Sequence, residues 1–126
     1  MYNSTTTAVS LAEVESSVDT PDNQIAVVGR QMTLHCSAYS KESQITWKFR
    51  KHGELAERLI AEGVNVSSSF RKFLINHTSD GQFSLINRNP QLKDAGTYKC
   101  VQTMGSQQTM LRTYTSVLTV LGEFCN

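Results

Sequence analysis

The 126-residue sequence has little of what marks a nucleic-acid binder or a membrane span. Lys and Arg number 12 against 11 Asp and Glu, so the basic excess that nucleic-acid binding requires is missing. No apolar run approaches the roughly 18 residues of a membrane-spanning helix, and residues 1–10 lack the basic start and apolar centre of a signal peptide. We therefore expect no membrane span, no nucleic-acid ligand and no direct membrane contact by this domain.

Catalytic and metal-binding patterns are also missing. The three histidines are scattered, no C-x-x-C pair is present, and the sequence has neither a nucleophile elbow nor a glycine-rich phosphate loop. The turn S-D-G-Q at 79–82 offers Asp80 alone as a carboxylate, which is too little for a metal site. We predict no enzyme activity, no metal site and no cofactor.

Cysteine is sparse, but its placement is informative. The three cysteines are Cys36, Cys100 and Cys125. The N-x-S/T glycosylation sequons stand at Asn3, Asn65 and Asn76. Two widely spaced cysteines inside β-prone runs, together with three sequons, favour an extracellular, oxidising origin.

Short β-prone runs alternate with polar turns along the chain, at a spacing typical of all-β domains. In 44–50, for example, Ile45, Trp47 and Phe49 alternate with polar residues. The predicted strands are 32–38, 44–50, 72–76, 82–88, 96–103 and 113–121, with edge segments before Gly29. Strands with one apolar face need a second sheet to cover it, so we predict a sandwich of two antiparallel sheets.

The stretch D-A-G-T-Y-K-C at 94–100 resembles the strand-F signature of immunoglobulin-superfamily domains. Cys36 is then similar to the strand-B cysteine of that family, and Trp47 to the core tryptophan of its strand C. The resemblance covers roughly residues 9–121. It implies an immunoglobulin-like β-sandwich with one inter-sheet disulfide, between Cys36 and Cys100, packed against Trp47.

The same stretch assigns roles to three further residues. Gly96 is expected to permit a tight start to the strand, and Tyr98 to pack at the corner with its hydroxyl on upstream backbone. Asp94 is expected to lie at the bottom edge of the sandwich, where it needs a cation. The resemblance implies an arginine partner, which places Arg71 in the core signature, although the tandem basic pair leaves Lys72 as the alternative.

The long stretch between the two core cysteines leaves room for the extra strands C′ and C″ of a variable-type (V-set) domain. Residues 57–63 resemble C′ and residues 64–70 resemble C″. Strand G departs from rearranging antigen receptors because it lacks their Phe-Gly-x-Gly. We predict a flexible tail at 1–10, one V-type domain at 11–121, and a stub at 122–126 leading to a hinge, stalk or next domain.

In V-set domains, partners usually meet the face formed by strands G, F, C and C′. The predicted partner contacts are Lys48, Arg50, Lys99 and Val101 on these strands, and Met104, Gln107 and Gln108 in the predicted loop 104–110. The neighbouring carboxylates are Glu54, Glu57 and Glu62. Two interpretations stay open, a solvated surface of Lys–Glu pairs or a docking face that recognises a protein by charge, and the loop is either a recognition tip or an ordinary hairpin.

The resemblance implies an extracellular recognition domain of a cell-surface immune-type or adhesion receptor, belonging to a membrane protein, that binds a protein ligand or forms a homodimer. Alternatives are a non-rearranging antigen-receptor-like domain that pairs with a second chain, and a carbohydrate-binding immunoglobulin-like module. The missing Phe-Gly-x-Gly disfavours the first, and the lack of spare aromatic surface disfavours the second. Cys125 is expected to be exposed and to link two copies, unless its natural partner lies in a longer parent chain.

Overall fold

The computed structural model describes residues 22–104 and 109–122, and these residues form two β-sheets. The strands are β1 Asp22–Val27, β2 Met32–Leu34, β3 Ser43–Lys51, β4 Arg58–Glu62, β5 Asn65–Val66, β6 Phe73–His77, β7 Phe83–Asn87, β8 Gly96–Met104 and β9 Thr109–Leu121. Two short 3-10 helices cover Ser68–Phe70 and Leu92–Asp94.

The larger sheet has the strand order β1-β9-β8-β3-β4-β5, and the smaller sheet has the order β2-β7-β6. Neighbouring strands run antiparallel except β1, which pairs parallel with β9 at the sheet edge. The predicted two-sheet sandwich is therefore confirmed. The added strands β4 and β5 extend the larger sheet, as expected for strands C′ and C″.

Several strand boundaries differ from the sequence prediction. The strand predicted at 32–38 ends at Leu34 and continues only as an isolated bridge between Ser37 and Gln82. The strand predicted within 64–70 ends at Val66, because the Ser67 hydroxyl accepts a hydrogen bond from the Ser69 amide and starts a helical turn. The loop predicted at 104–110 is shorter, since β8 reaches Met104 and β9 begins at Thr109.

The core lies between the sheets and is centred on the disulfide between Cys36 and Cys100, which confirms the predicted pair. Trp47 is only 1% exposed, and its indole nitrogen donates to the Phe83 carbonyl at 2.9 Å. Tyr98 is fully buried, with its ring stacked on Phe49 at a centroid distance of 4.6 Å. A cross-link over 64 residues stabilises such a fold by about 4 kcal/mol in the chain-entropy account.

The bottom corner of the sandwich is held by Asp94. The Tyr98 hydroxyl donates to the Asp94 carbonyl at 2.6 Å, as predicted, and burial raises the pKa of the Tyr98 phenol, with the Asp94 charge adding to the effect. The carboxylate Oδ2 of Asp94 accepts from Asn87 Nδ2 at 3.1 Å and from the Gln91 amide at 2.8 Å, and it forms an ion pair with Lys72.

The cation at this corner is therefore Lys72, and the assignment of Arg71 to the core signature is wrong. Arg71 still has the backbone conformation of the preceding helical turn, with φ −62° and ψ −22°, and its side chain is exposed. Lys72 directly precedes β6, whose first residue Phe73 is buried, and this places the Lys72 amine over the corner. Gly96 is required for close approach, since a Cβ there would lie 2.9 Å from the His52 amide nitrogen.

We predict that Lys72→Met destabilises the domain by about 2 kcal/mol, because it keeps the apolar stem but leaves the buried Asp94 carboxylate without its cation. The matched control Arg71→Met should change stability by less than about 0.5 kcal/mol, as for an exposed residue. Urea unfolding of both variants, with the disulfide intact, measures the difference. Equal losses in the two variants would contradict the assignment of Lys72 to this ion pair.

Candidate functional site

The solvent-facing side of the larger sheet is arranged in rows of residues paired across β9, β8, β3 and β4. From top to bottom the rows are Met110, Thr103 and Gln44; Thr113, Val101, Thr46 and Glu62; Thr115, Lys99, Lys48 and Leu59; Val117, Thr97 and Arg50. We call these residues the front face. The alternate residues of the same strands, among them Tyr98, Cys100 and Trp47, are buried in the core.

Two β-bulges shape the front face, and the sequence analysis missed both. The pairing of β3 with β4 shifts between Trp47 and Lys48, so Ile60 is an extra residue and both Ile60 and Ala61 are buried. The pairing of β8 with β9 shifts between Met110 and Arg112, so Leu111 is the extra residue there. Strand β9 therefore bulges without the glycine pair of rearranging antigen receptors.

The lower half of the front face carries three cations gathered around one carboxylate. Lys48 and Lys99 lie directly opposite each other, an arrangement that is destabilising without a counter-ion. The Glu57 carboxylate accepts from Lys99 Nζ at 2.8 Å. That hydrogen bond lowers the pKa of Glu57 below its ordinary value, and the charges of Lys99, Lys48 and Arg50 add to the shift, while partial burial opposes it.

A second acidic residue is also engaged within its own chain. Glu54 pairs with Arg58 at 3.9 Å, and the Glu54 carbonyl accepts from Arg50 Nη1 at 3.3 Å. Of the three carboxylates predicted beside this surface, Glu62 alone makes no ion pair with another described residue. Glu54 and Glu57 thus offset part of the positive charge in the lower half of the face from inside the molecule.

The upper half of the front face is concave and almost free of charge. A groove of about 630 Å³ is lined there by residues that include Thr46, Val101, Thr103 and Met110, and its lining also contains the charged residues Lys48 and Glu62. Met110 is 64% exposed although it is a large apolar side chain. Leu59, two rows lower than Met110, is 43% exposed. The sequence analysis placed Met110 in the predicted loop 104–110, whereas the structure places it in β9.

The remaining predicted residues are placed as follows. Met104 is the last residue of β8 and is half-buried. Gln107 and Gln108 lie outside the described residues. Asn65 and Asn76 are exposed, and each lies on the edge strand of its sheet, β5 and β6 respectively. Their glycosylation stays a prediction. Asn3 and Cys125 lie outside the described residues.

Two kinds of feature are absent from the described part of the chain. Residues 22–104 and 109–122 contain no group of three or more His, Cys, Asp or Glu side chains that could hold a metal ion. Over the same residues, no helix has the length and apolar character needed to cross a membrane.

The sequence model of the immunoglobulin V-set domain family matches residues 19–121. The chain therefore belongs to the immunoglobulin V-set family, as the cysteine and tryptophan pattern predicted. Domains of this family are typically extracellular.

Solved structures of other proteins share the fold. The ZIG-8 IG1 homodimer is similar at 21% identity and a TM-score of 0.65, over 82% of this chain and 81% of that one. The ZIG-8–RIG-5 IG1–IG1 heterodimer matches at 21% identity and a TM-score of 0.64, over 81% and 83%. The NK cell receptor NKp44, described as a triggering partner in natural cytotoxicity, matches at 17% identity and a TM-score of 0.65, over 80% and 98%.

We predict that Glu57→Gln lowers stability at neutral pH and low salt by up to about 1 kcal/mol, because Lys48 and Lys99 lose their shared counter-ion. The pKa of Glu57 is below the ordinary value of 4.5, so its contribution is complete above that pH and is lost as the pH falls through the lower folded-state pKa. Urea unfolding at neutral and acidic pH measures this loss. The control Glu62→Gln removes a carboxylate that has no ion pair with another described residue and should cost less stability at neutral pH, and a Glu57 carboxyl that titrates at or above 4.5 by NMR would contradict the prediction.

Proposed function

We propose that the chain is an extracellular recognition domain of a cell-surface immune-type or adhesion receptor, and that it binds a protein partner, including a second copy of itself, through the front face. One observation carries this proposal: the upper front face is a groove lined mainly by uncharged side chains, with one cation, Lys48, and one carboxylate, Glu62, in its lining. Protein interfaces have this plan, with a core depleted of charge inside a polar rim.

The costs of removing water from the upper and lower halves of the front face support a contact centred on the upper half. Threonine hydroxyls and the Val101 side chain can be buried at modest cost when the hydroxyls find partners, whereas an unpaired ammonium group loses several kcal/mol of hydration. The Lys99–Glu57 pair is already formed, so a partner can cover it without having to supply its own counter-ion. We therefore place Val101, Thr46 and Thr103 at the centre of the contact.

Charged contacts belong to the rim of this interface. Lys48 lines the groove, Lys99 lies opposite it on β8, and Arg50 lies one row further down. Rim charges mainly steer association and fix register, so salt should affect the on-rate more than the final affinity. Met104 beside the groove, with Gln107 and Gln108, completes the set of proposed contacts.

Context from the family supports an extracellular protein-binding role. The described disulfide is of the kind that persists in oxidising compartments, and two sequons are exposed. The ZIG-8 homodimer and the ZIG-8–RIG-5 heterodimer are precedents, on the same fold, for association between immunoglobulin domains. At 21% identity they support the fold, and the choice of face rests on the groove.

The test is to introduce a large charge at the centre of the front face. Val101→Arg and Thr46→Arg should each weaken self-association, or binding to a partner found in a cell-surface ectodomain library, by more than about tenfold, equivalent to about 1.4 kcal/mol. The cause is the hydration that a long charged side chain loses when it is buried in the contact in place of a small residue. Sedimentation velocity and surface plasmon resonance provide the measurements.

The matched control is Thr33→Arg, at a mid-strand position of the smaller sheet whose side chain points away from the core. It adds the same charge on the opposite side of the sandwich and should leave binding unchanged. If the control and the front-face variants lose affinity equally, or if all three retain it while folded, the front face is not the binding surface. Binding restricted to a glycan array would replace the protein partner with a carbohydrate.

A further inference from the structure

Arg112 lies between two tyrosine rings at the edge of the larger sheet. Its guanidinium carbon is 5.4 Å from the centroid of the Tyr39 ring and 5.7 Å from that of Tyr114. Its Nη1 donates to the Tyr114 hydroxyl at 2.7 Å. Arg112 is exposed and Tyr39 is 64% exposed, so the cation is held in place and still reaches solvent.

The fold positions this cluster through two features. The bulge at Leu111 sets Arg112 opposite Gln102, which turns Arg112 off the front face and toward the loop that carries Tyr39. Gln102 is fully buried; its Oε1 accepts from the Tyr39 amide at 2.8 Å, and its Nε2 donates to the Ser37 carbonyl at 2.7 Å. A buried amide thus fixes the backbone of Tyr39 relative to the strand that carries Arg112.

The guanidinium has donors to spare. No ion pair among residues 22–104 and 109–122 includes Arg112, and its one side-chain hydrogen bond to another of these residues engages a single donor of five. The planar fork of an arginine matches the two oxygens of a carboxylate. Because the rings already restrict the side chain, a ligand would have to immobilise little additional freedom on binding.

We propose that Tyr39, Arg112 and Tyr114 form a binding site for the carboxylate of an Asp or Glu side chain of a protein partner. Arginine and tyrosine are the typical anchors of protein interfaces. Each ring turns a face toward the guanidinium, so that face is not available for stacking on a sugar. The site also continues the front face around the sheet edge, since Met110 of the groove lies two residues away.

The binding of a carboxylate at Arg112 is independent of the proposed function. The assignment of that carboxylate to a protein partner rests on the proposed function. The experiment is an NMR titration of the arginine Nε–Hε signals and backbone amides with the peptide acetyl-Gly-Glu-Glu-Gly-amide. The same peptide with Gln in place of Glu, and the acidic sugar 3′-sialyllactose, are titrated in parallel. We expect a saturable shift of Arg112 with the Glu peptide alone.

Two substitutions of Arg112 separate the effect of its charge from the effect of its forked shape. Arg112→Gln should weaken peptide binding at least about tenfold, and Arg112→Lys should recover only part of it, because an ammonium lacks the fork. The controls Arg71→Gln and Arg71→Lys make the same changes at an exposed arginine and should bind as the parent does. Equal shifts with the Gln peptide, no saturable shift, or full affinity in Arg112→Gln would each overturn the site.

Tighter binding of sialyllactose than of the Glu peptide would overturn the assignment to a protein. Titrating the Val101→Arg variant with the Glu peptide distinguishes the carboxylate site from the front-face proposal. An unchanged peptide shift in a variant that has lost partner binding supports both sites. An unchanged peptide shift when Val101→Arg has no effect on partner binding supports the carboxylate site and removes the front-face proposal.

Discussion

The link between the two sheets through Cys36 and Cys100, packed against Trp47, is the constraint on which the rest of the molecule depends. It fixes the phase of β8, because Cys100 must point inward and the side-chain period of a strand is two. Tyr98 and Gln102 are buried for the same reason, and Lys99 and Val101 are turned to solvent. One covalent contact in the core therefore determines which residues of the central strand face solvent.

Charged side chains have different partners in the core and on the front face. At the bottom corner the Asp94 carboxylate is buried and has a cation and two further hydrogen-bond donors, so that its desolvation is compensated. On the front face the cations are partly exposed and share the single carboxylate of Glu57. The first arrangement fixes the fold of the corner. The second leaves the cations in contact with water, so that they retain part of their hydration.

Local alternation was enough to predict much of the candidate site. Lys48, Lys99 and Val101 were placed outward from the pattern of their own strands, and the structure has them there. Ile60 and Leu111 were not recognised as bulges, because a bulge depends on how a strand pairs with a distant neighbour and has no signature in its own alternation.

Two further features were out of reach of the sequence for similar reasons. The choice between Arg71 and Lys72 required knowing the residue at which a helical turn gives way to a strand, and such boundaries are set by tertiary contacts. The position of Arg112 between Tyr39 and Tyr114 combines a bulge, a buried amide and a loop far away in the chain. Each part is ordinary in the sequence, and only the fold brings them together.

The parallel pairing of β1 with β9 also constrains how the domain is made. These are the first and last strands of the described chain, yet Ala26 and Leu118 of the two strands are packed in the same core. A ribosome delivers the chain from its N-terminus, so β1 emerges long before the strand that completes its hydrogen bonds. Until the chain has emerged as far as Leu121, the segment around Ile25 has backbone groups without their partner strand, and other chains can pair with them. A chaperone, or rapid synthesis of the rest of the chain, would protect the segment during that interval.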